Sequence, residues 1–329
     1  MYKGNTIGVV VPAYNEAGLV GDVIETLPAF VDRAYVVDDC STDETWAEIS
    51  AAAARVNESR DAPTIADGGV LDERIVPIQH DTNSGVGGAI KTGYLAARDE
   101  GLDVVAVMGG DGQMDPSILD RIVDPVVTDR ADYAKGNRLL RPGDTTPMPT
   151  HRVFGNHVLT LLTRIASGYW TVGDSQNGYT AISREMIDAA AVSEMYEFYG
   201  YCNDLLVKLN VVDARVADVP MTAKYDEETS HIQLSSYVPR VSAMLARNFL
   251  WRLQAKYLER GVRSIPGSYL LGATSATVGI LLFLAALFGS DDGLFLAGFL
   301  AIFGAVLVTM IGATLDRLRN RHLDFVVTV

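Results

Sequence analysis

The stretch Val105–Pro116, VAVMGGDGQMDP, decides the fold class, because an apolar run ends there on two glycines, one carboxylate and an amide. The apolar part has the composition of a buried strand, and proline is typical of the first turn of a following helix. Glycines let a ligand approach the backbone closely, and a carboxylate beside them can hold Mg²⁺ or Mn²⁺. The stretch therefore predicts a strand whose end faces a ligand.

The same strand-to-helix pattern repeats through residues 1 to 140, which predicts an α/β fold with a mostly parallel sheet. Ligands bind such sheets at the carboxyl ends of the strands. The acidic stretch Asn57–Asp72 is expected to be a surface insertion. The predicted strands are Ile7–Pro12, Ala34–Asp38, Arg74–Gln79 and Asp103–Met108, and the predicted helices are Ala17–Leu27, Thr42–Val56, Gly85–Asp99 and Pro116–Val127.

The charge balance restricts the function classes. The chain has 329 residues and a formal net charge of −14, whereas a general nucleic-acid binder usually carries a basic face. Aspartate (28) outnumbers glutamate (13), and arginine (21) outnumbers lysine (6). This composition suggests a halophile's salt-rich cytoplasm; an ordinary acidic protein is the alternative. The two cysteines, Cys40 and Cys202, define neither a disulfide framework nor a zinc site.

The C-terminal part contains two uncharged apolar runs, Gly267–Gly289 and Gly293–Leu315. Each exceeds the roughly 20 residues that cross a bilayer, and the short connection predicts a transmembrane hairpin rather than a buried soluble one. Basic residues flank the pair, and the connecting loop carries Asp291 and Asp292. The positive-inside rule then places the protein in the cell membrane with both termini in the cytoplasm.

A basic run, Val238–Arg263, precedes the first apolar segment and interleaves aromatic side chains with its cations. This mixture predicts an amphipathic helix in the membrane interface, beside anionic lipids. An ordinary helix packed on the domain is the alternative. The predicted organisation is a nucleotide-binding domain (1–236), the juxtamembrane helix (237–266), two transmembrane helices (267–315) and a cytoplasmic tail (316–329).

Polar residues gather where the predicted strands end. Asp38 and Asp39 end the second strand and could accept hydrogen bonds from a base or a ribose hydroxyl, although a helix cap is the alternative. Asp111 and Gln113 could hold a divalent metal, while Asp115 before Pro116 suits a helix cap. Further along the chain, two arginines could contact phosphates, namely Arg138 and Arg152.

Several other functions are disfavoured. The segment SGVGGAIKT (84–92) nearly matches a P-loop, but Ile90 stands where that loop requires glycine. The glycine-rich turn could still face an anion, or it could serve close helix–sheet packing. The chain has no metalloprotease, serine-hydrolase or kinase signature.

Taken together, these segments resemble glycosyltransferase family 2, which has the Rossmann-like GT-A fold. Within that family the chain is similar to dolichol-phosphate mannose and glucose synthases with membrane segments. The resemblance covers residues 5 to 240. It is carried by VVVPAYNE, VVDDCSTD, NSGVGGAIKTGY, GGDGQMDP, GNR and DSQNGYTAISRE.

The resemblance implies roles for particular residues. Asp111 and Gln113 bind the metal, with Gly110 beside the nucleotide, and Arg138 binds phosphates. A second basic pair is expected at Lys224 and His231. The family usually has a first aspartate where this chain has Gly109, which implies that the nucleotide completes the metal site. The residues implied to hold the nucleoside are Pro12, Tyr14, Glu16, Val36, Asp38 and Asp39.

The predicted function is inverting transfer of a hexose from a nucleotide-diphosphate sugar to polyprenyl (dolichyl) phosphate, feeding protein N-glycosylation. A transferase that extends a lipid-linked glycan and a degenerate nucleotide-sugar binding protein are the alternatives. Asp174 and Asp204 are the base candidates that a hydroxyl acceptor would need, although each could instead be a structural loop residue or a surface acid of a helix. A phosphate acceptor needs cations instead, and Arg152, Arg247 and Arg252 are expected to supply them.

Overall fold

One eight-stranded sheet organises the molecule. The computed structural model describes residues 1–58, 72–140, 150–222, 234–289 and 291–328. Its strands are β1 (Ile7–Ala13), β2 (Arg33–Asp38), β3 (Ile75–Gln79), β4 (Val104–Val107), β5 (Tyr133–Asn137), β6 (Thr180–Ser183), β7 (Val216–Pro220) and β8 (Asp324–Val326). They lie in the order β3-β2-β1-β4-β6-β5-β7-β8, and only β6 runs antiparallel to its neighbours. The predicted mostly parallel sheet is confirmed.

Helices cover both faces of this sheet. In the described ranges they are α1 (Val20–Glu25), α2 (Thr45–Glu58), α3 (Val86–Asp99), α4 (Leu119–Val127), α5 (Thr150–Ser167), α6 (Arg184–Ala189), α7 (Tyr201–Val211), α8 (Leu234–Arg252), α9 (Ser264–Gly289) and α10 (Asp292–Asn320). Helices α1, α2 and α4 share one buried apolar cluster, and α3, α6 and α7 share the other. A core on both faces explains why the strands are continuous apolar runs rather than alternating ones.

Strand β2 shows how this two-sided core distributes its side chains. Val36 lies fully buried in the cluster with α1 and α2, whereas Tyr35 and Val37 lie in the cluster on the opposite face. This alternation follows from the two-residue period of a strand. The expected contact of Val36 with a nucleoside stays a prediction, and because its side chain is part of the core, its backbone would have to make that contact.

The basic run is not one continuous helix. Helix α8 is followed by a π-helical turn, Leu253–Leu258, and the chain then breaks at Gly261, whose φ is +78°. Val241, Met244 and Leu245 of α8 pack on α5 and α7. The alternative of a helix packed on the domain is thus the correct one for this face, while Leu250 and Trp251 are exposed.

Helices α9 and α10 pack against each other through small residues. A Cβ at Gly279 would lie 2.9 Å from the Gly298 carbonyl, so larger side chains at these positions would force the helices apart. The helices have 26 and 29 residues, and 18-residue stretches within them have mean hydropathies of 2.1 and 2.6. By length and composition both are candidate membrane spans, which agrees with the predicted hairpin.

The predicted cytoplasmic tail (316–329) is different in the structure. Helix α10 continues to Asn320, and Asp324–Val326 then forms the edge strand β8, parallel to β7. The Val216 amide donates to the Leu323 carbonyl at 2.7 Å. The chain therefore returns from the apolar hairpin and completes the sheet, because β7 offers an unpaired edge to it.

Candidate active site

The carboxyl ends of β1, β2 and β4 meet, as the sequence predicts. The Gly110 amide donates to the Pro12 carbonyl at 3.1 Å, and the Asp39 amide donates to the Ala13 carbonyl at 2.9 Å. A Cβ at Gly110 would lie 3.1 Å from the Pro12 oxygen and 3.2 Å from the Ala13 Cβ. Glycine at 110 thus allows the β4 loop to lie against β1.

The Asp111 loop is a tight turn. The Asp111 Oδ1 accepts a hydrogen bond from the Gln113 amide at 3.0 Å, and Gly112 has a φ of +70°. A Cβ at Gly109 would lie 2.9 Å from Asp111 Oδ1, so a side chain there would crowd the carboxylate. Asp115 caps the next turn by accepting from the Ser117 amide at 2.9 Å, which confirms its predicted capping role.

The donors in this turn are suited to a hard divalent cation. Asp111 supplies a half-buried carboxylate, and the side chain of Gln113 is also half-buried beside it. Among the described residues, no group of three His, Cys, Asp or Glu side chains could enclose an ion. Such a donor set suits an ion that takes its other ligands from phosphate and water, as Mg²⁺ commonly does.

The loops after β1 and β2 are tied together by Asn15. Its amide donates to Ser41 Oγ at 2.9 Å, and its Oδ1 accepts from the Thr42 amide at 2.8 Å. Asn15 has a φ of +57°, a conformation that asparagine tolerates better than most residues. Tyr14 before it is 46% exposed, and Glu16 after it is half-buried. Sequence analysis missed Asn15, which presents both neighbours at the edge of the sheet.

The two acids after β2 have separate structural tasks. Asp38 is fully buried and accepts from the Ser41 amide and Gln79 Nε2, each at 3.1 Å. Asp39 accepts from the Ser84 amide at 2.8 Å and from the Gly85 amide at 2.7 Å. The expected contact of the Asp39 carboxylate with the nucleotide stays a prediction, while the structure shows both of its oxygens holding the turn before α3.

The glycine-rich segment serves packing. The Gly88 amide donates to the Glu197 carbonyl at 2.9 Å, and Lys91 forms an ion pair with the Glu197 carboxylate. A Cβ at Gly93 would clash with Val10. Of the two alternatives for this segment, close helix–sheet packing is confirmed, because the N-terminal turn of α3 is covered by the chain around Glu197.

Arg138 and Asp174 form a bidentate ion pair at the end of β5. Asp174 Oδ2 accepts from the Arg138 amide at 3.0 Å and from Nε at 2.7 Å, and Oδ1 accepts from Nη2 at 3.0 Å. The Asp174 side chain is fully buried, whereas that of Arg138 is 21% exposed. The pair thus fixes the direction of a cation that reaches the surface.

Asp174 is not placed as a general base, which favours the structural alternative for this residue. Burial alone raises the pKa of its carboxyl, but the Arg138 guanidinium outweighs this and lowers the pKa below its usual range. Asp204, the other candidate, is buried and accepts from the Tyr196 amide at 3.0 Å and Asn248 Nδ2 at 2.6 Å. Both carboxylates are engaged in holding the structure.

Two buried charges beneath Asp174 were missed by sequence analysis. Lys135 Nζ donates to the Gly173 carbonyl at 2.7 Å and to the Asp174 carbonyl at 2.9 Å, and lies 3.6 Å from Asp218 Oδ1. Asp218 Oδ2 accepts from the Gly173 amide at 2.6 Å. Burial raises the pKa of the Asp218 carboxyl. A charged residue within each of the strand sequences YAKGN and VADVP was the available signal.

Arg252 is not available to a lipid phosphate, contrary to the sequence expectation. It is fully buried, and its Nη1 and Nη2 donate to the two oxygens of the Asp316 carboxylate at 3.0 and 2.8 Å. Tyr257 also donates to Asp316. This cluster joins the end of α8 to the end of α10, because an unpaired guanidinium could not be buried there.

The other predicted cations have varied surroundings. Arg247 is exposed and lines a shallow depression with Glu194, Glu197 and Asp204. Arg152 lies in α5, but its side chain is outside the described part of the structure. Lys224 and His231, and most of the acidic insertion Asn57–Asp72, also fall outside the described residues.

A Rossmann-like sheet with acids and a paired arginine at its carboxyl edge fits the GT-A fold of glycosyltransferases. The chain belongs to Glycosyl transferase family 2, whose family match covers residues 8–190. It is thus a glycosyltransferase, and the resemblance stated from its motifs is confirmed.

Two relatives and one solved structure show the similarity. The UDP-N-acetylglucosamine–dolichyl-phosphate N-acetylglucosaminyltransferase of Methanococcus voltae is 28% identical over 67% of this chain and 86% of its own. The undecaprenyl-phosphate mannosyltransferase of Micrococcus luteus is 28% identical over 65% and 81%. The glucosyl-3-phosphoglycerate synthase of Mycobacterium tuberculosis, solved with Mn²⁺, UDP-glucose and glycerol 3-phosphate, shares the fold with a TM-score of 0.51 and 20% identity, over 76% of this chain and 80% of its own.

Proposed function

We propose that the protein transfers a hexosyl group from a nucleotide-diphosphate sugar to polyprenyl phosphate at the cytoplasmic face of the membrane, with inversion at the sugar carbon. The observation that carries this proposal is the ion pair between Arg138 and Asp174. The pair supplies an oriented cation at the sheet edge. It also engages the Asp174 carboxylate, which is then not available as a base.

The acceptor chemistry follows from that pair. A sugar hydroxyl is a poor nucleophile until a base removes its proton. A phosphate monoester is mostly anionic at neutral pH, since its second pKa is about 6. It therefore needs cations and alignment rather than a base. The names of the Methanococcus voltae and Micrococcus luteus relatives, which include polyprenyl-type phosphates, support the same acceptor class.

On the donor side, the nucleotide is proposed to lie over the loops after β1, β2 and β4. Tyr14 and Glu16 offer an exposed ring and a half-buried carboxylate, beside the Pro12 carbonyl. Asp111 and Gln113 would hold Mg²⁺ or Mn²⁺. When bound, such an ion neutralises the diphosphate leaving group. Lys224, His231 and Arg152 remain proposed phosphate contacts.

The hairpin of α9 and α10 supports a membrane location. Both of its domain-side ends adjoin the catalytic part, because Arg252 pairs with Asp316 and β8 follows α10. Arg317, Arg319 and Arg321 near the end of α10 favour a cytoplasmic position for this side. We further propose that the lipid product supplies protein N-glycosylation in an archaeon, and the acidic composition is consistent with a salt-rich cytoplasm.

The test is to incubate membranes containing the protein with a panel of nucleotide sugars and polyprenyl phosphate, and to identify the lipid product by mass. The expected product is a polyprenyl phosphate with one added sugar, formed only with divalent metal. A glycan acceptor is offered in parallel. Transfer to the glycan hydroxyl alone would overturn the proposed acceptor, and binding of nucleotide without any turnover would identify a binding protein.

A second arm examines the lipid side. The charge reversal Arg247→Glu should weaken the use of polyprenyl phosphate more than nucleotide binding, because Arg247 is exposed on α8, two residues before Phe249, whose ring packs on Tyr269 of the apolar hairpin. The matched control is Arg55→Glu, which reverses an exposed charge on α2. Equal effects of the two changes on the apparent KM for the lipid would remove Arg247 from the proposed lipid contacts.

A further inference from the structure

The loop that carries Asp174 is held by a residue from the far end of the chain. Asp324 is the first residue of β8, immediately after the turn that follows α10. Its Oδ2 accepts hydrogen bonds from the Thr171 amide at 2.6 Å and from the Val172 amide at 3.2 Å. Asp174, which orients Arg138, lies two residues beyond Val172.

The next contacts continue this hold along the loop. The Gly173 amide donates to Asp218 Oδ2, and Lys135 Nζ donates to the carbonyls of Gly173 and Asp174. Three consecutive backbone amides, 171 to 173, therefore end on carboxylates. Asp174 itself has a φ of +42°, a conformation that residues other than glycine rarely keep without such support.

Asp324 is in turn fixed to the end of the apolar hairpin. The Leu323 amide donates to the Asn320 carbonyl at 2.8 Å, and the Leu323 carbonyl accepts from Val216 at 2.7 Å. Asn320 is buried beside Asp316 and Tyr257. The segment that links α10 to the active-site loop is thus short and hydrogen-bonded, so it has little freedom to move.

We propose that Asp324 is a positioning residue for catalysis. By holding the amides of Thr171 and Val172, it sets the place of Asp174 and hence the direction of the Arg138 guanidinium. The inference rests on the proposed function in one respect, namely that Arg138 contacts a substrate phosphate. It assigns a role in the active site to the segment that the sequence suggested was only a tail.

The two hydrogen bonds that Asp324 accepts suggest a pair of variants, one that keeps the acceptor oxygen and one that removes it. Both amides meet the same oxygen of Asp324, so asparagine, which keeps one carbonyl oxygen, can retain both hydrogen bonds. Alanine removes the acceptor and leaves the two amides without it. Asp324→Asn is therefore the matched control for Asp324→Ala.

The experiment measures kcat and KM for both variants in the full-length protein, with UDP and GDP binding and thermal unfolding measured alongside. Asp324→Ala should lower kcat/KM about tenfold, because a small displacement of a positioning group is costly, whereas Asp324→Asn should stay within about twofold of wild type. In the Arg138→Ala background, Asp324→Ala should cause less than about a twofold further loss, since it acts through Arg138.

The outcomes separate this inference from the function on which it rests. Absence of a lipid-linked product from the wild-type protein refutes the proposed function, whatever Asp324 does. The inference is overturned if the losses in kcat/KM caused by Asp324→Ala and Arg138→Ala multiply fully in the double variant. It is also overturned if the Asp324→Ala enzyme unfolds at lower temperature but keeps its wild-type kcat/KM. If Asp324→Ala does not fold, Asp324→Ser takes its place, because the shorter hydroxyl cannot reach both amides.

Discussion

The half of the sheet edge built by β1 to β4 and the half built by β5 to β8 are constructed differently. In the first half, backbone turns and glycines present Asp111, and the Asp111–Gln113 bond spans two positions. In the second half, Arg138 depends on a carboxylate 36 positions away, and the loop behind it depends on Asp324, 153 positions from Thr171. The Asp111 turn is specified locally, whereas Arg138 and the loop behind it are held by buried charges from distant segments.

This difference separates the expected effects of mutations. A turn with a half-buried carboxylate can lose that group without unfolding, so changes there should affect chemistry alone. A buried ion pair leaves an uncompensated charge when one partner is removed, so changes there should affect stability as well. Comparing rate with stability therefore tests the contrast directly.

The largest effect is expected for Asp111→Ala. Transfer should fall about a thousandfold, because the metal loses its charged ligand from this loop and the diphosphate leaving group loses its neutralising ion. Stability should change little. The measurement is turnover of labelled nucleotide sugar, with Asp115→Asn as the control, since asparagine caps helices as well as aspartate. Wild-type activity of Asp111→Ala in the presence of a chelator would exclude the metal role.

Asp174→Asn should lower both rate and stability. We expect a loss of about thirtyfold in kcat/KM and roughly 2 kcal/mol in unfolding free energy, because a charge-assisted bidentate pair becomes an ordinary hydrogen bond. Some transfer remains, since Asp174 is not the base.

The pH dependence of stability checks this assignment. Because the folded pKa of Asp174 is lowered, its contribution is present above the unfolded value of about 3.9 and disappears as the pH falls through the folded value. Unfolding measured from pH 7 down to pH 3 should show a weaker acid dependence in Asp174→Asn than in wild type. An identical acid profile in the two proteins contradicts the buried ion pair.

Gly109→Asp should have a smaller effect, confined to the first half of the edge. The new Cβ would lie 2.9 Å from Asp111 Oδ1, so a second carboxylate would stand close to the first. We expect metal affinity to rise by up to about tenfold, because carboxylates repel each other without an ion and share one when it is bound. Isothermal titration of Mn²⁺ with UDP present checks this, and Gly109→Asn is the uncharged control. Weaker metal binding in Gly109→Asp would contradict it.

The smallest effect is expected at Lys256, outside both halves. Burial lowers the pKa of its ammonium to about 8, although Asp213 opposes the shift. The unfolded chain then binds more protons than the folded protein between about pH 8 and 10.4, so this group makes stability rise with pH across that window. Lys256→Met should flatten the rise in thermal unfolding, and Lys208→Met on α7 should not. A steeper rise in Lys256→Met is the contrary result.

The sequence predicted the elements around the Asp111 turn well. Strand β1 was expected at Ile7–Pro12 and ends at Ala13, and α3 was expected at Gly85–Asp99 and begins at Val86. Apolar runs and glycines carry such information within a few residues. The role of Asp111 in a turn at the strand end was predictable for the same reason.

The second half could not be predicted in the same way, because its contacts join residues far apart in sequence. Nothing near Asp174 in the sequence reveals that Arg138 engages both of its oxygens, and nothing near Arg252 reveals Asp316, 64 positions away. Basic residues before an apolar span look like lipid contacts until the structure pairs one of them internally.

The position of β8 has a consequence for the order in which the protein is made. Strand β7 ends at Pro220 and β8 begins at Asp324, so 103 residues, including both apolar helices, are synthesised between two adjacent strands. At a synthesis rate of about 5–20 residues per second, the edge of β7 stays unpaired for roughly 5 to 20 seconds before β8 is made. The last strand, and with it Asp324, arrives only after the hairpin has left the ribosome. Completion of the catalytic sheet therefore follows synthesis of the apolar hairpin.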